Sequence, residues 1–242
     1  MNLQGQPIEG SITGAMTTME PYVPIPLPNR SNFSDAEMIK RAGSFYDEIK
    51  RRHSVREFAP TPVPRAVIDL CLLAAGTAPS GANQQPWHFS VVQDASVRRQ
   101  IRLAAEAEEQ AFYAGKAGAE WLEALHPIGT DPNKPFLEIA PWLIVIWGSR
   151  KSPDASGRMR KNYYVPESIG IATGLLLAAL HHSGLATLTH TPNPMGFLNR
   201  ILNRPDSDKA YLMLVVGHPA PEATVPLHAK RKKSLGEIST SI

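Results

Sequence analysis

The chain is poor in cysteine, in charge and in long apolar runs, and each shortage excludes something. Its 242 residues contain one cysteine, Cys71. One thiol cannot build a disulfide framework or a cysteine zinc site within the chain, which fits a reducing compartment. Charged residues make up 19% of the sequence and apolar ones 43%, a balance that excludes disorder of the whole chain. No apolar run reaches the ~18 residues of a membrane-spanning helix. The longest, 141–147 and 169–180, have the length of core elements. Residues 1–30 lack a basic head followed by an apolar stretch, so a cytoplasmic chain with no membrane partner is expected. There is no GxGxxG after a strand, no GxxxxGK(S/T), no GxSxG and no HExxH. A phosphate-bearing cofactor would therefore lie outside the common glycine loops, and no metal site is expected.

Other features are present in excess. Proline is 22 of 242 residues, roughly twice the ordinary share. Pro7, Pro21, Pro24, Pro26 and Pro28 lie in 1–33, which reads as an extended N-terminal arm. Net charge is only +3, and Lys230, Arg231, Lys232 and Lys233 form one basic run. A nucleic-acid role would be confined to that run, and no nucleic-acid partner is expected. Between the arm and a basic C-terminal arm, 227–242, lies one domain, 34–226. Ser34 followed by Glu37 predicts a capped helix over 35–51. Further helices are expected over 65–75, 96–125, 167–182 and 196–203, with strands over 87–93, 142–147, 185–190 and 210–216. The basic stretch 150–161 reads as a loop. Gly115 and Gly118 weaken the middle of 96–125.

Four short stretches could carry chemistry. Arg52, His53, Ser54 and Arg56 place two guanidiniums and a hydroxyl on one turn, suited to a phosphate. Alone, they read better as a solvated basic helix end. The loop from Thr77 through Ser80 and Ala82 to Trp87 has small residues that let a flat ligand approach the backbone. By itself it is an ordinary helix-to-strand connection. Thr189, His190 and Thr191 end a strand just before Pro192, where a hydroxyl could face a ligand or simply favour the strand. In the basic run, one side chain folds back onto the phosphate or all are solvated.

Together these stretches resemble the FMN-dependent nitroreductase superfamily, and within it most the iodotyrosine deiodinase branch. The resemblance runs from about Tyr46 to the C-terminus. Its most specific pieces are Gly76 to Ala82, Glu108 to Tyr113, Asn162 to Tyr164, Gly174 to Leu180 and Glu222 to Pro226. It implies an α+β fold with a mixed or antiparallel central sheet flanked by helices. It also implies an intertwined homodimer with FMN in the interface. Arg52, His53, Ser54, Arg56 and Arg231 fall on FMN-contacting positions, chiefly at the phosphate. His53 stands where the pattern often has a second arginine, which makes that contact weaker or pH-dependent. Ser80, Thr189, His190 and Thr191 fall near the isoalloxazine. The Thr191 hydroxyl matches the one that favours one-electron chemistry, and is the catalytic candidate. The Ala82 N–H matches the donor to the substrate phenolate.

The branch's diagnostic trio maps onto Glu109, Tyr113 and Lys134, which would clamp an amino-acid zwitterion. Glu109 and Tyr113 are four apart and share a helix face, although Glu109 among Glu106 and Glu108 also reads as a solvated face. Residues of about 105–135 are then a substrate lid, whose part from Glu109 to Lys134 is expected to be mobile until a halotyrosine orders it. The resulting expectation is reductive removal of iodide or bromide from halotyrosine by stepwise one-electron transfer, with NAD(P)H as the direct or indirect electron source. A broad NAD(P)H-dependent nitro or quinone reductase without the clamp is the alternative.

Overall fold

A computed structural model describes residues 21–154 and 156–242. Of the expected N-terminal arm, residues 1–20 lie outside the described residues, and 21–33 form neither helix nor strand. The chain divides into two compact units, Met1–Arg41 and Ala42–Ile242. In the first, the Glu37 N–H donates to Ser34 Oγ at 3.3 Å, opening helix α1 (Asp35–Ile49) as the capping pattern predicts. Arg41 reaches back to Glu37 at 2.7 Å and lies over the Phe33 ring.

The second unit is built on a four-stranded antiparallel sheet. Its order is β1 (Trp87–Val92), β2 (Trp142–Ser149), β6 (Asp208–Gly217) and β5 (Ala186–His190). Side chains alternate across a strand, so β2 serves two cores. Trp142, Ile144 and Ile146 pack against Ile68 and Cys71 of α2 (Arg65–Gly76) and Ile169, Leu176 and Leu180 of α6 (Val165–His182). Leu143, Val145 and Trp147 face Ile101 and Ala105 of α3 (Ala95–Ala111), with Leu137 of α5 (Phe136–Ile139) and Leu198 of α7 (Phe197–Ile201). Both faces being covered is why β2 is continuously apolar. The indole N–H groups are satisfied inside: Trp142 donates to the Val63 carbonyl and Trp147 to Ser90 Oγ, each at 2.9 Å.

One extended segment lies along β5. Ser54 bridges Thr187 in parallel, and the Val55 N–H donates to the Thr187 carbonyl at 3.0 Å. The same segment then turns to the stretch just after β6, where the Ala59 N–H donates to the His218 carbonyl at 2.9 Å. Arg56 is thereby seated beside the end of β5.

Two elements differ from expectation. The stretch 150–161 is a hairpin, β3 (Lys151–Pro153) paired with β4 (Met159–Lys161). Its turn is organised by Asp154, whose carboxylate accepts from Ser156, from the Arg158 N–H at 3.0 Å and from Arg160 Nε at 2.9 Å. Composition alone read as loop because the ordering group is one carboxylate among cations. The single helix expected over 96–125 is broken. A wide turn over Phe112–Lys116 follows α3, and α4 (Ala119–Leu125) starts afresh. Gly115 sits at φ 142°, a conformation that residues with a Cβ rarely adopt. No helix among the described residues is long and apolar enough to cross a membrane.

Candidate functional site

A cavity of about 510 Å³ opens beyond the end of β5. Among the stretches that wall it are Arg56; the end of α3 with the turn and α4 after it; Thr189, His190 and Thr191; and Lys209 to Tyr211 of β6. Lys134, from the loop before α5, closes a further side.

Glu109, Tyr113 and Lys134 meet in this cavity. The Lys134 ammonium lies 3.2 Å from the Glu109 carboxylate. It also donates to Thr130 Oγ1 at 3.3 Å and to the Asp131 carbonyl. The Tyr113 hydroxyl donates to the Thr130 carbonyl at 3.1 Å. Lys134 is only 3% exposed, so its charge needs these oxygens: an unpaired buried ammonium is costly. The trio's polar groups are therefore satisfied by the Glu109–Lys134 pair together with Thr130 and Asp131. Phe112 packs edge-on to Trp121 at 5.0 Å and gives the cavity an apolar wall.

The opposite side is short of partners. His190 is buried, and its Nε2 finds no hydrogen-bond partner among the described residues. Burial first, then the nearby Lys134 and Arg56 cations, push its pKa down to about 3, so the imidazole is neutral. Arg56 is half-buried, and burial draws its guanidinium below its ordinary value while Tyr113 works the other way. No ion pair to Arg56 forms among the described residues. A neutral imidazole and an uncompensated guanidinium facing one cavity suit a planar, oxygen- and nitrogen-rich, anionic ligand.

The remaining sequence-derived candidates do not line this cavity. Arg52, His53 and Ser54 precede Arg56 on its segment. Burial first, then Lys230, Lys232 and Arg52, lower the His53 pKa, which places the basic tail within electrostatic reach of that turn. Arg231 is exposed, just after a short helical turn over Leu227–Lys230. Ser80 and Ala82 belong to a separate loop. Ser80 Oγ accepts the Gln85 N–H at 2.9 Å, and exposed Ala82 is left-handed at φ 49°. That loop is anchored by Gln84, which donates to the Lys161 carbonyl at 2.9 Å and accepts the Tyr163 N–H at 2.7 Å. A Cβ on Gly81 would meet the Tyr163 carbonyl at 2.8 Å, so the close approach requires glycine.

Nothing in the spacing of Thr130 or Trp121 marks a wall, and Phe112 stands out only as part of the Glu108 to Tyr113 stretch. Glu106 was passed over as part of a solvated acidic face. Arg102 four residues before it was the available signal, and the two are paired at 2.8 Å.

A nitroreductase family model matches residues 49–218. An iodotyrosine deiodinase of Haliscomenobacter hydrossis is 48% identical over 206 residues, covering 84% of this chain and 92% of that protein. The human iodotyrosine deiodinase 1 is 39% identical over 215 residues, covering 88% and 74%. Among solved structures, an oxidised iodotyrosine deiodinase bound to FMN and 3-iodo-L-tyrosine superposes with a TM-score of 0.63 at 33% identity, over 73% of this chain and 90% of that one. A BluB-like flavoprotein of Clostridium difficile 630 shares the fold with a TM-score of 0.61 at 21% identity, over 81% and 97%.

Proposed function

The chain belongs to the nitroreductase family, and from that membership we propose that it is an FMN-dependent oxidoreductase that removes halide from halotyrosines, leaving tyrosine. The observation that carries this reading is the meeting of Glu109, Tyr113 and Lys134 over one cavity with Arg56, His190 and Thr191. A broad nitro or quinone reductase has no need of a carboxylate and an ammonium set to receive a zwitterion.

The cavity's chemistry fits the cofactor. Uncompensated Arg56 and the unpartnered Nε2 of His190 are suited to its polar edge, with Thr189 and Thr191 around the ring system and Ser80 joining them from a second copy. Arg52, His53, Ser54 and Arg231 would serve its phosphate. When bound, FMN supplies the reducing electrons, delivered one at a time, with NAD(P)H as their direct or indirect source. The net change at the substrate takes two electrons and a proton: a carbon–hydrogen bond replaces the carbon–halogen bond, and halide leaves.

The chain's own residues hold the reactants. Glu109 takes the substrate ammonium, Lys134 its carboxylate, and the Tyr113 hydroxyl adds a hydrogen bond. The Ala82 N–H holds the phenolate, and the Thr191 hydroxyl presents a donor to the cofactor. Phe112 and Trp121 give the substrate an apolar wall. Because the loop bearing Ser80 and Ala82 does not line the cavity, we place that loop's contribution in a homodimer, where a second copy completes the site. Exposed Phe45 and Tyr46 of α1, Leu70 and Leu73 of α2, and Ile171 of α6 support an interface. A cytoplasmic location accompanies this reading through the single cysteine.

The test is anaerobic turnover of iodo-, bromo- and chlorotyrosine by the purified yellow protein with dithionite. Tyrosine and halide in equal amounts are expected. Nitroarene reduction without dehalogenation would replace this reading by the broader one.

A further inference from the structure

Four side chains on one face of α3 hold the segment 134–140. Arg98 donates to the Ala140 carbonyl at 2.5 Å and to the Glu138 carbonyl. Arg102 lies 3.5 Å from the Glu138 carboxylate. Glu106 accepts the Lys134 backbone N–H at 2.6 Å, and Glu109 pairs with the Lys134 ammonium. Positions spaced by three and four residues project on the same side of a helix, which is what makes the row possible.

Glu106 differs from the others in where it acts. One of its oxygens accepts both the Lys134 N–H and Arg102 Nε at 2.8 Å. Its side chain is 14% exposed. Burial pushes its pKa up, but the Lys134 N–H and the Arg102 guanidinium outweigh that and hold it below the ordinary carboxylate range. Lys134 is thus fixed at both ends by carboxylates on neighbouring turns of α3.

The two contacts have different fates when an amino-acid substrate enters. The Glu109–Lys134 pair must open, because the substrate ammonium claims Glu109 and its carboxylate claims Lys134. The Glu106 contact involves only backbone and has no reason to open. We propose that Glu106 is a positioning residue for amino-acid recognition: it holds the Lys134 backbone while the Lys134 ammonium changes partner. The inference rests on the halotyrosine reading above and deepens it. Glu106 does not line the cavity, so its effect should follow the amino-acid part of the ligand and not the ring.

The experiment measures dissociation constants of 3-iodotyrosine and 2-iodophenol on the FMN-loaded protein by flavin quenching, for wild type, Glu106→Ala and Glu106→Gln. Removing the acceptor in Glu106→Ala should weaken 3-iodotyrosine about ten- to hundred-fold and leave 2-iodophenol unchanged, the scale of one lost charge-assisted hydrogen bond. Glu106→Gln keeps an oxygen for the Lys134 N–H but loses the charge, so its loss should be intermediate and again confined to the amino acid. It also carries the test if the alanine variant does not fold. Equal weakening of both ligands in either folded variant, or an unchanged preference for iodotyrosine, overturns the positioning role while the halotyrosine reading stands. A wild type that binds the phenol as tightly as the amino acid overturns both.

Discussion

At the scale of single residues, the site joins a buried cation that is paired to a buried imidazole that is not. His190 is the less compensated of the two. Its folded pKa of about 3 lies below the ordinary 6.5, so between those values the unfolded chain binds a proton that the folded chain refuses. The stabilisation is full above pH 6.5 and is lost as pH falls toward 3, at up to ~1.4 kcal/mol per pH unit. Urea melts of the FMN-free protein at about pH 7.5 and about pH 5 should show this slope, and His190→Gln should flatten it. Arg56→Ala should raise the FMN dissociation constant about ten- to hundred-fold, for a lost contact of about 1.5–3 kcal/mol; equilibrium dialysis against FMN would expose an unaffected site. Thr191→Ala should reduce dehalogenation about two- to ten-fold, the worth of one neutral hydrogen bond, while nitroarene reduction changes less. The residue types of the site were legible in the sequence, but the lack of partners at His190 and Arg56 was not. A missing hydrogen bond depends on what the fold brings near, and no local spacing encodes it.

At the scale of elements, α3 and the wide turn after it do most to shape the cavity. Glu109 sits in the last turn of the helix and Tyr113 in the wide turn, so the interruption at Gly115 follows directly behind the clamp. Gly115→Ala would force a Cβ into φ 142° and should cost about 1–2 kcal/mol, read by thermal unfolding. Glu109→Gln should weaken 3-iodotyrosine about ten- to hundred-fold with little effect on 2-iodophenol, again by flavin quenching. The strands and main helices were readable because β2, β6 and α6 carry dense apolar patterns over core lengths. The break in 96–125 was only half readable. Glycine composition announced a weak helix, but not that Gly115 takes the positive φ while Gly118 keeps a negative one. The β3–β4 hairpin was missed because its order comes from Asp154 and not from apolar alternation.

At the scale of the whole molecule, the sheet is closed on both faces, yet apolar side chains on α1, α2 and α6 remain in the open. Tyr46 is 65% exposed and Leu73 69%. Sedimentation should give twice the 26.4 kDa chain mass, and Leu73→Glu should shift the population toward monomer with loss of bound FMN. One more consequence follows from the Glu109–Lys134 pair. Before binding, the clamp and the amino-acid end of the ligand are each electrically neutral. After binding there are two pairs, and that end is neutral still. It need release or take up no counterion. The part of the affinity that comes from the amino-acid end should therefore be almost indifferent to ionic strength, whereas the affinity for FMN, whose phosphate would meet Arg52, Arg56 and the basic tail, should fall steeply as salt rises.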